Sequence, residues 1–339
     1  MQGNLAKAPL VAVLYASLLH FLAVFVPFTP YYREMRYPFA WSMTWLDHAW
    51  LIGYALLICL LMAVGYAAIE KTGLGAFLAL LPIFLGFGWI MPMLAPFLLG
   101  TTPGTGLAQW DILMHLGQGA VATILALLLS MLLYAKKPAP PAEGEEPPAK
   151  KEKVKGGPKP FMLVRLILFL LLAFPFAYFI FYFVGWYFFA WQIDAVREFY
   201  GGPADSGFFF MLISTLLERP MEAGLTLLRG LLMGVLSLLL LLQLPSKKLL
   251  YIILNVFLSL SQGLFFALPT PLMPWGVQLP HLIFNGAHLL VFGLLTAFLL
   301  PLARNKQGQV EEEGAEAPAA EAKGKKPVGT GKPIPAKAK

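Results

Sequence analysis

Apolar runs long enough to cross a lipid bilayer recur along this chain, and nothing else in it restricts the fold so tightly. A helix needs roughly 20 apolar residues to traverse the hydrocarbon core. Eight stretches meet or approach that length, at about 8–28, 48–69, 74–98, 112–134, 161–190, 220–243, 248–268 and 281–302. Lipid offers no water to backbone polar groups, so each stretch must close its own hydrogen bonds as a helix. Composition agrees, with 58% apolar and only 13% charged residues, against roughly a quarter charged in soluble domains. The expected fold class is an all-α membrane protein of about eight transmembrane helices. Lys7 precedes the first run as in a secretion signal. That run is longer than a typical signal core and no cleavage site precedes Pro27, so it is expected to remain as a span.

A single polar interval divides the runs. Lys136–Pro160 holds seven Pro, seven Lys and four Glu, with Val154 its one large apolar side chain. Such a segment cannot bury enough apolar area to offset its ordering entropy, and is expected to be a disordered linker. The implied domains are a first four-helix unit (1–135), the linker (136–160), a second four-helix unit (161–303) and a disordered tail (304–339). The two units resemble each other. Arg33-Glu34 matches Arg197-Glu198, Thr44–Asp47 matches Thr215–Glu218, and Leu113–Leu116 matches Leu279–Leu282, in the same order and at similar separations. This internal repeat suggests duplication into two tandem units, which an even number of spans makes parallel.

Charge supplies the orientation. The eighteen Lys all lie at the N-terminus, at Lys71, in the linker, at Lys247–Lys248 or in the tail, and eight spans place all of those on one side. By the positive-inside rule both termini and the linker are cytoplasmic, in a bacterial inner (cytoplasmic) membrane. Trp41, Trp45, Trp50, Trp110, Trp186, Trp191 and Trp275 fall at the opposite ends, where interfacial anchors belong. The net charge of +7 is no nucleic-acid signal: linker and tail carry most of it, and the membrane body has no basic face for a phosphate backbone. Cys59 stands alone, which excludes a disulfide framework and a thiol metal cluster.

Ionisable groups inside spans are costly and are functional candidates by default. On the sixth span Glu218, Glu222 and Arg229 recur at helical spacing, as do Asn255, Ser259 and Gln262 on the seventh and His281, Asn285 and His288 on the eighth. Counted from the helix ends at 1.5 Å per residue, Arg229 lies roughly 16 Å deep, His288 about 10 Å and Glu222 about 6 Å. Facing one another, the three stripes would form a polar cavity, with Glu222 the local countercharge to Arg229 and Gln262 or water a bridge. The alternative is that amides, hydroxyls and one ion pair glue the helices together.

Two His at one depth on facing helices can ligate haem iron, and His20 and His288 are the pair to test for haem b. An interfacial hydrogen-bonding role accounts for them more simply, and no cofactor is expected. Phe, Tyr and Trp crowd positions 174–191, where lipid-facing packing or a groove for quinone would use them, and Pro175 is expected to kink the helix. Pro92, Pro96, Pro269 and Pro271 suggest half-helices at an outer mouth. The loop motifs Tyr31–Arg36 and Asp194–Glu198 suit short interfacial helices that contact headgroups or periplasmic partners. The leading reading is a transporter-like protein with a solute or ion site in the second unit. The alternatives are a non-catalytic subunit or scaffold that holds other membrane or periplasmic proteins, and a haem- or quinone-binding membrane protein. No catalytic residue or metal-ligand spacing is present, and the lipid bilayer is the one certain partner.

Overall fold

The computed structural model describes residues 7–25, 45–69, 71–99, 109–134, 160–201, 207–244, 247–264 and 274–304. These residues form helices and short turns. In chain order the helices are α1 (Ala8–Phe25), α2 (Trp45–Ala68), α3 (Gly73–Leu85), α4 (Met91–Leu99), α5 (Gln109–Leu133), α6 (Pro160–Leu168), α7 (Phe174–Gly185), α8 (Asp194–Tyr200), α9 (Phe208–Glu218), α10 (Pro220–Gln243), α11 (Lys248–Leu264) and α12 (Trp275–Arg304). Six helical stretches are long and apolar enough to cross a membrane: Ala49–Ala68, Gly73–Ala95, Leu116–Leu133, Val164–Ala190, Pro220–Gln243 and Trp275–Pro301. Ala8–Leu18, Phe208–Glu218 and Lys248–Leu264 are shorter apolar helices. The linker at 136–159, the tail at 305–339, the Tyr31–Arg36 motif and the 269–271 prolines lie outside the described residues, as do the side chains of His20, His48 and His115.

Prolines within the long stretches bend the hydrogen-bond ladder without breaking it. Helix α3 passes through a π-turn at Gly86–Ile90 into α4, and α6 passes through Phe169–Ala173 into α7. Pro175 follows the second π-turn directly, where the Phe174 N–H reaches back five residues to the Phe169 carbonyl. A wider turn redistributes the bonds that a missing proline N–H disrupts. The half-helix expected to end at Pro92 or Pro96 is therefore corrected, because helix continues to Leu99.

One core unites both halves of the chain. Helix α11 packs against α12, α2 and the Gly86–Ile90 turn, while α10 packs against α7, α3 and α4. The principal hydrophobic cluster runs from Ala8 and Val11 through Met62, Leu80 and Phe87 to Met233, Leu258 and Phe292. Small residues permit the closest approaches. A Cβ added to Gly263 would lie 2.7 Å from the Gly286 Cα, and one added to Gly230 would lie 2.7 Å from the Pro175 Cα and the Tyr178 Cβ. Close backbone contact is how helices associate where lipid removes the hydrophobic drive.

The two ends of the bundle differ in chemistry. At one end the Lys7 ammonium donates to the Leu133 carbonyl at 2.5 Å, and Lys247 donates to the Ala68 carbonyl. Each lysine thus satisfies a carbonyl at or beside the C-terminus of another helix, where a positive charge is favoured. At the opposite end Trp186, Ala190, Trp191, Val196, Val277 and Phe284 form a second buried cluster under α8. Trp186 and Trp191 are therefore core residues, correcting their reading as interfacial anchors, whereas Trp45, Trp50 and Trp275 are exposed. Helix α8 forms as its motif suggests, with Asp194 and Arg197 paired on one face. Arg197 also donates to the Trp191 carbonyl at 2.8 Å, and Gly201 closes the helix in the left-handed region at φ 67°.

Candidate functional site

The sequence places Glu218, Glu222 and Arg229 on one stripe, but the chain interrupts that stripe. Helix α9 ends at Glu218 and α10 begins at Pro220, with Arg219 between them at φ −129°, ψ 54°. Proline disfavours helical geometry at the residue before it. Glu218 therefore belongs to a different helix and is exposed. Glu222 occupies the first turn of α10, where a carboxylate complements the helix dipole. It pairs with Arg219 at 3.6 Å, with both side chains about half exposed. The expected Glu222–Arg229 ion pair is replaced by this local one.

Arg229 is left without a countercharge among the described residues. Its Nη2 donates to the Met91 carbonyl at 3.0 Å, directly beyond the π-turn that joins α3 to α4. Its Nε is buried and has no hydrogen-bond partner. Tyr178, Tyr182 and His288 lie within electrostatic reach of the guanidinium. Close packing at the next residue, Gly230, holds α7 and Tyr178 against this part of α10.

His288 stands on the other side of Tyr178. The two rings meet edge to face with centroids 4.5 Å apart, Tyr182 approaches edge-on at 5.9 Å, and Phe284 stacks at 5.8 Å and 12°. The imidazole is only 5% exposed, yet neither ring nitrogen has a partner. The Tyr178 backbone is near the ring but outside hydrogen-bonding geometry. A neutral imidazole carries one donor and one acceptor, and leaving both unmet in a buried site costs free energy.

The seventh-span stripe is buried and bonded internally. Asn255 Nδ2 donates to the Gly293 carbonyl at 2.9 Å and to Thr296 Oγ1 at 2.8 Å, although its Oδ1 has no partner. Ser259 donates to the Asn255 carbonyl at 2.7 Å. Gln262 donates to Met233 Sδ at 2.8 Å and so does not bridge to Arg229. These contacts tie α11 to α12 and α10 as polar glue. On α12, His281 Nδ1 meets the Val277 carbonyl at 2.7 Å and its Nε2 meets the Tyr200 hydroxyl at 3.1 Å. Asn285 is buried at the α11 contact, where Gly263 approaches its backbone. The three predicted stripes thus divide into a bonded seam (Asn255, Ser259, Gln262), an outlying ion pair (Glu222) and one unsatisfied neighbourhood (Arg229, His288).

Sequence alone does not single out Arg219, Phe284, Met91 or Thr296, and it reaches Tyr178 and Tyr182 only as part of the aromatic run at 174–191. Tyr178 and Tyr182 are one helical turn apart in the aromatic run, a spacing that puts both rings on one face. Thr296 continues the His281–Asn285–His288 stripe down the same helix. Nothing in sequence could have pointed to the Met91 carbonyl, which is a backbone atom. Among the described residues no group of His, Cys, Asp or Glu is arranged to hold a metal ion.

Among the described residues, six long apolar helices around a shared core mark a multi-pass membrane protein in contact with lipid. No family model matches the chain, and no curated protein or solved structure is significantly similar to it.

Proposed function

We propose that the chain is a transporter-like protein of the cytoplasmic membrane that takes a solute between α7, α10 and α12, at Arg229, His288, Tyr178 and Tyr182. In this reading the chain crosses the membrane eight times as two tandem four-helix units, with both termini cytoplasmic. Lys7 and Lys247 sharing one end of the bundle supports that orientation. One observation carries the site: a guanidinium within an apolar helix bundle, with a buried unbonded Nε and no countercharge among the described residues. An arginine at the centre of a bilayer-spanning helix costs at least about 2.5–3.5 kcal/mol unless paired or hydrated. A fold that tolerates this cost with a backbone carbonyl and no countercharge among the described residues is suited to receiving one from outside.

Arg229→Leu separates this reading from a purely structural role. Removing a partly buried charge that has no countercharge among the described residues raises thermal stability, as is common where a site holds strain for function. The expected outcome is a protein that accumulates normally in membranes and melts several degrees higher, by about 3–6 °C for roughly 2 kcal/mol in a chain of this size. If Arg229 instead glues α10 to α4, the variant fails to accumulate or melts lower, and the site reading is lost. That result would favour the scaffold alternative.

A further inference from the structure

The unmet atoms at this site define the chemistry of what fills it. We infer that the solute is a monocarboxylate with an apolar or aromatic body, an assignment that rests on the proposed solute site.

Charge comes first. Arg229 contributes one positive charge, while Glu222 is neutralised by Arg219 at 3.6 Å and His288 sits among aromatic rings. A single negative charge makes the occupied site neutral. A dianion such as phosphate would leave an unpaired charge in a low-dielectric interior, which is the costlier state.

Geometry comes second. Arg229 Nε is a buried donor without an acceptor, and Nη2 uses one of its two N–H groups on the Met91 carbonyl. Nε, on the same edge of the guanidinium as Nη2, is thus the unmet donor, and a carboxylate is the group that an arginine edge meets best. His288, packed edge to face on Tyr178, brings further unmet ring nitrogens to the same neighbourhood.

Surroundings come third. Tyr178, Tyr182 and Phe284 present ring faces and edges around His288, with Trp186 beyond them at 5.8 Å from Phe284. Rings in this array favour another flat apolar group over a hydrated one. The body of the ligand is thereby set apart from its acid.

The test uses the full chain in non-ionic detergent and sodium benzoate as probe, with sodium chloride at matched ionic strength as control. Benzoate is expected to raise the melting temperature with a saturable dependence on concentration. Benzamide keeps the ring and loses the charge, and acetate keeps the charge and loses the ring. Each is expected to bind at least about tenfold more weakly. Arg229→Gln weakens benzoate roughly 10–100-fold, and His288→Phe about tenfold. Equal binding of benzoate and benzamide, or unchanged benzoate binding by Arg229→Gln, overturns the assignment. So does the absence of any benzoate shift up to ~10 mM, a concentration that would saturate even a millimolar site. If Arg229→Leu stabilises the protein while no carboxylate binds, the solute site stands and its assigned class fails. If Arg229→Leu prevents accumulation, the site itself fails.

Discussion

His281 and His288 stand two turns apart on the same face of α12, both about 5% exposed, and differ in nearly everything else. His281 has both ring nitrogens engaged. A carbonyl only accepts, so Nδ1 carries the hydrogen toward Val277 and the Tyr200 hydroxyl donates to Nε2. Burial pushes the Tyr200 phenol above its ordinary range, which keeps it a donor across physiological pH. His288 has neither nitrogen engaged, because α7 brings it aromatic rings where α8 brings His281 a hydroxyl. Spacing along a helix dictates which residues are buried together. Whether their polar atoms are satisfied depends on what the neighbouring helix delivers, and here the two histidines mark a structural end and an unsatisfied site.

The same division separates the α11–α12 seam from the Arg229 neighbourhood, and the largest perturbation should come from the seam. Gly263→Leu forces a side chain into the Gly286 backbone, which a Cβ alone would approach to 2.7 Å. Helix axes must separate to admit it, at a cost of about 3 kcal/mol or more. Expression should drop and the melting temperature should fall, opposite in sign to Arg229→Leu. A normally folded, normally stable Gly263→Leu protein would erase the contrast between the two regions.

Much of this was readable from the chain, and the limits have physical causes. Apolar length located every long helix, because lipid leaves the backbone no alternative. Helical spacing also grouped Asn255 with Ser259, and His281 with Asn285 and His288, and all five are buried. Pairing was not readable. Glu222 chose Arg219 over Arg229 because Pro220 starts a new helix and leaves Arg219 beside the first turn. Pro175 reads as a kink and Pro92 as a helix end, yet a π-turn precedes each and the helix continues, since a helix in a bundle can shift its bonds by one residue. Trp186 and Trp191 resembled membrane anchors, but α8 folds over them. Each error lies at a point where tertiary neighbours decided among local options that sequence leaves equal.

A smaller effect is expected at Asn255, and it tests how much the seam depends on polar contacts rather than on close packing. Asn255→Leu removes two hydrogen bonds to α12 and also the unbonded Oδ1. Interhelical hydrogen bonds in membranes average about 0.6 kcal/mol, and relief of the orphan oxygen offsets part of the loss. Net destabilisation of about 1 kcal/mol is expected in reversible unfolding. A loss as large as that of Gly263→Leu would mean that the amide, and not glycine packing, holds α11 to α12.

The smallest change removes one of the bonds that distinguish the two histidines. Tyr200→Phe keeps the ring that packs on Trp186 at 5.3 Å and deletes the hydroxyl bonded to His281 Nε2. Losing that bond should cost about 0.5–1.5 kcal/mol. His281→Phe should cost a similar amount, because it orphans the buried phenol. The double variant replaces both partners with apolar groups and should recover most of the loss, giving a coupling energy of about 1 kcal/mol in a double-mutant cycle. His288→Phe provides the contrast: with no partner to orphan, it should leave stability unchanged or raised. If His288→Phe instead destabilises as much as His281→Phe, then the imidazole at 288 is bonded in the membrane after all, and the two histidines play the same part.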